Sequence, residues 1–328
     1  MKQETKNGRV RRVLLAAGLL AGLAGPLQAQ TYPSRAITLI VPFAPGGVAD
    51  VTARAAAEAM AKTLGQPVIV DNRPSAGSII ATQAVASSKP DGHTLLLMSN
   101  GNAVSVGLFK KLPYDTMRDL TPVSTLGFFD LAVFVPSNSR FSSLQQAMQY
   151  AKANPGKLTV GTISAGSTQH LAGKLFQTVS DAEFLTVPYK GSPAVLMALR
   201  GGEIDLALEI VGPMLPHLGA GVVKALAVTG NQRNPALSDV PTMQQAGIAN
   251  YNVSSWNAIA VPAGTPPAIV ARLNGAIREA MTSTPVIAKL EKLGMRLQAG
   301  TPAQAQALLA SDIKRWGEVI KNAKIEAE

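Results

Sequence analysis

Residues Phe43-Ala44-Pro45-Gly46-Gly47-Val48 set a Pro-Gly-Gly turn between the apolar run ending at Val41 and a helical pattern that carries Asp50 in its first turn. Glycine lets backbone approach a ligand with no Cβ in the way. The first turn of a helix leaves N–H groups without carbonyl partners at the positive end of the macrodipole. The chemistry on offer is capture of a small anion, such as a carboxylate. A second pairing, Ser167 with His170, lies at i, i+3 on one helical pattern and has the residue types of a Ser/His hydrolase. The orienting acid and a nucleophile turn are missing, so hydrolysis stands only as a remote alternative. No Gly-x-Ser-x-Gly elbow, Walker loop or His-Glu-x-x-His pair occurs, and Gly46-Gly47 is not a dinucleotide fingerprint. The three histidines are dispersed in sequence, and the chain predicts neither catalytic residues nor a metal or other cofactor.

The elements that must position these residues alternate between short β-rich runs and helical patterns, which predicts an α/β fold with largely parallel sheets. Strands are expected at 38–41, 68–70, 94–98, 131–135, 158–163, 185–187, 204–208, 224–228 and 258–261. Helices are expected at 48–64, 78–87, 143–153, 168–179, 194–200, 266–283 and 301 to about 323. Breakers fall between them, at Lys89-Pro90-Asp91-Gly92, Asn154-Pro155-Gly156 and Gly201-Gly202. The segments 127–131 and 254–257 read as crossovers between two lobes, which places lobe 1 at 30–130, lobe 2 at 131–256 and a return to lobe 1 at 257–328. A ligand would lie in the cleft of such a hinged pair.

The first 29 residues read as a secretory signal: Lys2, Lys6, Arg9, Arg11 and Arg12 precede an apolar run from Val13 to Leu23, and Leu27-Gln28-Ala29 offers a small residue for cleavage. Arg11-Arg12 also gives it a faint twin-arginine character. Removal of 1–29 takes five basic residues and one acid, leaving 299 residues with a net charge of +6 instead of +10. No run of five basic residues occurs and aromatics make up 5% of the chain, which argues against nucleic acid as a partner. The absence of cysteine excludes disulfides, a thiol nucleophile and a lipidated N-terminal cysteine. The expected location is the periplasm, and a monomer is expected.

Pro33-Ser34-Arg35-Ala36-Ile37 leading into Val41–Gly47, Asp50 and Ala53-Arg54 resembles the opening of the Bug-type extracytoplasmic solute receptors, the binding proteins of tripartite tricarboxylate transporters. Matching stretches follow in the family's order at 70–74, 76–77, 89–96, 166–172, 187–192, 201–206, 224–229 and 235–242, then at Trp256 and 260–266. The ordered set, rather than any one stretch, carries the resemblance. It implies a two-lobed periplasmic-binding-protein (Venus-flytrap) fold that closes on a small organic carboxylate and delivers it to integral-membrane permease subunits. It also implies that one ligand carboxylate sits against Phe43–Asp50 and that the opposite lobe contributes Ser164, Gly166, Ser167, Thr168, Gln169 and His170. Physical reading agrees with the second loop, because Ser167 or Thr168 can cap a helix while other donors face the cleft.

Each residue also has a structural role open to it. Asp50 complements a helix dipole, His170 fits first-turn packing, Tyr189 at a strand end fits half-buried packing or a cleft contact, and Asp71 with Arg73 fits a turn. His93 and His217 read as turn or surface residues. Two places depart from the family pattern: Ser99-Asn100 after the third strand, and Ala207-Leu208-Glu209-Ile210, where relatives carry Asp or Asn near a Phe. Ser99 and Asn100 can still donate to a ligand, and Glu209 faces either its polar end or the hinge. The expected function is a carboxylate-binding receptor for transport; the alternative within binding is a sensory receptor that presents its ligand to a membrane signalling protein.

Overall fold

In the computed structural model, which describes residues 32–164, 166–322 and 325–327, the apolar run Ile37–Val41 forms strand β1, buried along most of its length. A continuous apolar strand of this kind suits a sheet covered on both faces. β1 lies between β2 (Val68–Asn72) and β3 (Thr94–Ser99) and is parallel to both. β3 pairs antiparallel with β9 (Ser254–Pro262), and β9 pairs antiparallel with β4, a strand of 17 residues from Leu120 to Pro136. A short β10 (Met295–Leu297) adds to β4 on the same sheet.

β4 then serves a second sheet. Its residues Leu131–Phe134 pair antiparallel with β7 (Leu206–Ile210), and Ala132–Pro136 pair antiparallel with β8 (Val223–Val228). β5 (Leu158–Ile163) joins β7 in parallel, and β6 (Phe184–Tyr189) joins β5 in parallel. Register shifts between Pro122 and Ser124, Thr125 and Gly127, and Val133 and Phe134 punctuate β4. Bulges of this kind bend and twist a strand, which lets one strand run through two sheets. The result is the two-lobed α/β arrangement expected from the sequence, with parallel ladders at β2-β1-β3 and β7-β5-β6 and antiparallel strands between them.

Helices flank both sheets. In the first, α1 (Val48–Leu64) follows β1, α2 (Ile79–Ala86) follows β2 and α3 (Asn100–Leu108) follows β3. In the second, α4 (Leu144–Ala153) precedes β5, α5 (Thr168–Ser180) follows β5, α6 (Ser192–Gly201) follows β6 and α7 (Val211–Gly219) follows β7. The chain returns to the first sheet through α8 (Pro267–Thr282), α9 (Thr284–Glu291) and α10 (Pro302–Asn322). α10 buries Leu309, Trp316 and Ile320 against the body, and Trp256 on β9 donates its indole N–H to Asp312 of that helix at 2.7 Å.

Helices α3, α7 and α9, strand β10 and the first half of β4 go beyond the sequence expectation. The signal region, residues 1–29, lies outside the described residues. Among the described residues no helix is long and apolar enough to cross a membrane.

A cavity at five helix N-termini

Because α1, α3, α5, α6 and α7 each follow a strand, their N-termini gather at the carboxyl edges of the two sheets, where α/β proteins bind ligands. Here they converge on one cavity of about 490 Å³, counting its part open to solvent. Gly47 and Val48 are the cap and first residue of α1, and Ser99 caps α3. Thr168 and Gln169 open α5, Gly191 and Ser192 open α6, and Ile210 caps α7. The caps of α1, α6 and α7 bring no side-chain hydrogen bond, so no side-chain oxygen of the cap competes for their first-turn donors. Ser99 and Ser167 do cap α3 and α5, accepting from the N–H groups of Gly101 and His170.

Among the described residues no Lys, Arg, Asp or Glu lines this cavity. Its walls combine hydroxyls and amides (Ser99, Thr168, Gln169, Ser192, Ser255, Asn257) with the apolar surfaces of Phe43, Phe129, Ile163 and Ile210. Positive potential at these walls therefore comes from backbone dipoles, each worth about 0.3–2 kcal/mol toward a nearby anion.

The loop after β1 is held from behind. Asp50 is 3% exposed and points away from the cavity. Its carboxylate accepts from the Gly46 N–H, from Arg54 Nε and from Asn72 Nδ2, each at 3.0 Å. Asn72 also donates to the Phe43 carbonyl at 3.0 Å. Burial acts to raise the Asp50 pKa, but the bonds from Arg54, Gly46 and Asn72, with the Arg54 charge, outweigh it and hold the carboxyl below its usual value. Asp50 is thus the brace of the loop. Replacing it with alanine frees Phe43–Gly47; loss of these charge-assisted bonds, at about 1.5–3 kcal/mol, is expected to weaken capture of any anion in the cavity by about 10- to 100-fold in titration calorimetry.

The two lobes meet around the rim. Asn100, fully buried, accepts through Oδ1 from the hydroxyls of Thr168 and Ser255 and donates to the Ser254 carbonyl at 3.2 Å. Thr168 and Ser255 lie 3.0 Å apart. Phe43 is partly buried against the apolar cluster of the second sheet, which includes Ala132, Ile163 and Ala207. Gly166, at φ +76°, approaches the backbone of Gly77 so closely that a Cβ there would lie 2.5 Å from Gly77 Cα.

Of the residues singled out from the sequence, Phe43, Ala44, Gly47, Val48, Ser99, Thr168 and Gln169 line the cavity. Asn100 and Gly166 stand at the rim contact just described, while Pro45 and Gly46 are exposed on the outer side of their loop. Ser164 is half-buried and its carbonyl accepts from the Ser167 N–H. Ser167 is spent on capping α5, its hydroxyl also donating to the Ile163 carbonyl. His170 is buried, and burial, with the Lys174 charge, lowers its pKa to about 4, so the ring is neutral at physiological pH. Tyr189 packs against the core of the second lobe. Glu209 lies fully buried directly behind Ser192 and Gln169.

Sequence reasoning missed Phe129, Ile163, Gly191, Ser192, Ile210, Ser255 and Asn257. Four of these had legible signals. Gly191-Ser192-Pro193 carries the proline-in-the-first-turn signature of a helix start. Ser255 and Asn257 alternate around Trp256, so a strand there must present both on one face.

Two α/β lobes sharing a long strand, with helix N-termini turned to the cleft, are the architecture of periplasmic binding proteins. The chain belongs to the tripartite tricarboxylate transporter family of receptors, whose family model matches residues 52–325. The family is one of receptors, not enzymes. The chain is 38% identical over 315 residues to protein BugT of Bordetella pertussis, covering 94% of this chain and 97% of that protein. Among solved structures it is similar to Rpa4515 of R. palustris with adipate, at 34% identity and a TM-score of 0.85, over 90% of this chain and all of that one. It is likewise similar to MatC (Rpa3494) of Rhodopseudomonas palustris with bound malate, at 33% identity and a TM-score of 0.84, over 88% of this chain and all of the other.

Proposed function

We propose that this chain is a periplasmic receptor that captures one small organic carboxylate in the cavity between its lobes and delivers it to the permease subunits of a tripartite tricarboxylate-type transporter. The observation that carries the reading is the convergence of five helix N-termini on a cavity that, among the described residues, no charged side chain lines. An anion there is held by backbone N–H groups, that of Thr168 among them, and by the hydroxyls and amide of Ser99, Gln169 and Ser192. Apolar Phe43, Phe129 and Ile210 contact the carbon skeleton. Binding of dicarboxylates by the structural neighbours MatC and Rpa4515 supports the same ligand class here.

Opening of the lobes would separate Gly166 from Gly77 and Thr168 from Asn100, admitting and releasing the acid; β4 and β9, which pair along the first sheet up to Asp130 and Ser254, form the hinge. The experiment is uptake of a radiolabelled acid by cells lacking the gene. Uptake of the acid that the purified protein binds is expected to be lost and then restored by the intact chain. Undiminished uptake in the deletion strain would contradict the delivery role.

A further inference from the structure

Glu209 is 0% exposed and stands immediately behind the cavity wall. Its Oε2 accepts from the Ser192 hydroxyl at 3.0 Å, the Ile210 N–H at 3.0 Å and Gln169 Nε2 at 3.4 Å. All three donors belong to residues that line the cavity, and two of them, Ser192 and Ile210, mark the starts of α6 and α7. Among the described residues Oε1 has no hydrogen-bond partner and no cation pairs with the carboxyl. An ionised Glu209 therefore occupies the field of two helix N-termini and engages the one Ser192 hydroxyl hydrogen, both of which a bound carboxylate needs. A protonated Glu209 releases them: its O–H donates to Ser192 Oγ, and the Ser192 O–H turns into the cavity.

We propose that Glu209 and the bound acid share a single negative charge at this wall, so that wherever Glu209 is ionised in the empty site, capture of a carboxylate takes up one proton from solvent onto it. The inference rests on the carboxylate reading given above. The charged groups on the elements packed against β7 are Asp130 on β4, His170 and Lys174 on α5, Arg200 on α6 and His217 on α7; β5 contributes none. None of them acts on the titration of Glu209, which is governed by burial first and by its three hydrogen bonds second. Burial raises it from 4.5 to about 7 in the empty site. A bound anion favours the neutral carboxyl and raises it further. Affinity is therefore flat below about pH 7 and falls above it by about tenfold per pH unit until the bound-state pKa is reached.

The test is titration calorimetry with malate and with adipate at pH 6, 7, 8 and 9, each in two buffers of different ionisation enthalpy. The expected result is a rise in dissociation constant approaching 100-fold between pH 6 and 9, with net uptake of up to one proton per acid bound at the alkaline end. Glu209→Gln, which keeps an N–H donor toward Ser192 but cannot ionise, is expected to lose both the pH slope and the proton uptake. An acid that binds equally at pH 6 and 9 without proton uptake, or a Glu209→Gln chain that keeps the slope, overturns the proton coupling and leaves the receptor reading standing. Failure of both acids to bind at any pH removes the carboxylate reading for them and this inference together. An infrared measurement needs no ligand: a protonated-carboxyl stretch is expected at pH 6, fading through about pH 7 and missing in Glu209→Gln. Its absence at pH 6 overturns the proposal independently.

Discussion

A Gly166→Ala chain is expected to fold with unchanged secondary structure and to bind its acid at least 100-fold more weakly. The new Cβ would meet two backbone atoms, Gly77 Cα at 2.5 Å and Gly77 N at 2.8 Å, and neither can rotate aside. Residue 166 also holds φ +76°, a left-handed conformation that costs a non-glycine residue about 1–2 kcal/mol. Overpacking adds about 1–3 kcal/mol. The steric penalty falls only on the arrangement in which the Gly166 loop touches the Gly77 loop and vanishes in an opened molecule, whereas the conformational one lowers stability in both. With two backbone atoms inside 3 Å the steric cost against closure falls at the upper end of its range, about 3 kcal/mol, which corresponds to about 100-fold in affinity. Gly156→Ala is the matched control, because φ there is +71°, a Cβ would have nothing within 4 Å, and the residue takes no part in the cavity. It should lower stability slightly and leave acid binding alone. Equal affinities for Gly166→Ala and the unaltered chain in calorimetry would show that binding does not require this contact.

The largest expected loss of stability comes from Gly212→Ala. Gly212 lies in the first turn of α7, two residues from the cavity wall at Ile210, and packs on the turn between α9 and β10. A Cβ there would fall 1.4 Å from the Leu293 carbonyl oxygen and 1.9 Å from its carbon. Both are backbone atoms, so relief requires α7 to move off the first lobe as a unit. A cost of about 3 kcal/mol or more is expected, lowering the melting temperature by roughly 6–12 °C. A change under about 2 °C would mean that α7 and the Leu293 turn are not held in contact. Because α7 supports Ile210 and Glu209, a chain that does fold should also bind acid less well.

Legibility from sequence tracked how local each cause was. The turn from Phe43 to Val48 could be read because its signals are all short-range: an apolar run, Pro-Gly-Gly, then a helical period. The same holds for α5, whose cap Ser167 precedes Thr168 directly. Helix α3 could not be read, since Asn100-Gly101-Asn102 looks like a turn; it forms because Ser99 and Asn102 make a reciprocal capping box and because Ala103, Val104 and Leu108 find a buried place. Pro213 and Pro216 argued against α7, yet Pro213 falls in the first turn, where its missing N–H has no intrahelical partner to lose. The first half of β4, interrupted by Pro122, Ser124 and Thr125, is a strand only by virtue of its bulged pairing with β9. Asp50 shows the limit most plainly. Its place in the first turn was legible, but its bond to Asn72, 22 residues on, depends on β1 and β2 being neighbours. Glu209 is a single acid in an otherwise apolar strand, and nothing local reveals that its carboxyl bonds to two cavity-lining side chains.

The most direct test of carboxylate capture is a thermal-shift screen at pH 6 of protein stripped of host ligand by unfolding and refolding, against mono-, di- and tricarboxylates, aromatic acids and amino acids. An acid at ~100 times its dissociation constant adds about 2.7 kcal/mol of stability. In a chain of this length that corresponds to a rise of about 5–10 °C. The predicted result is such a rise for one class of carboxylates, lost in Gly166→Ala. An unmoved melting temperature across the whole panel would contradict carboxylate capture in this cavity.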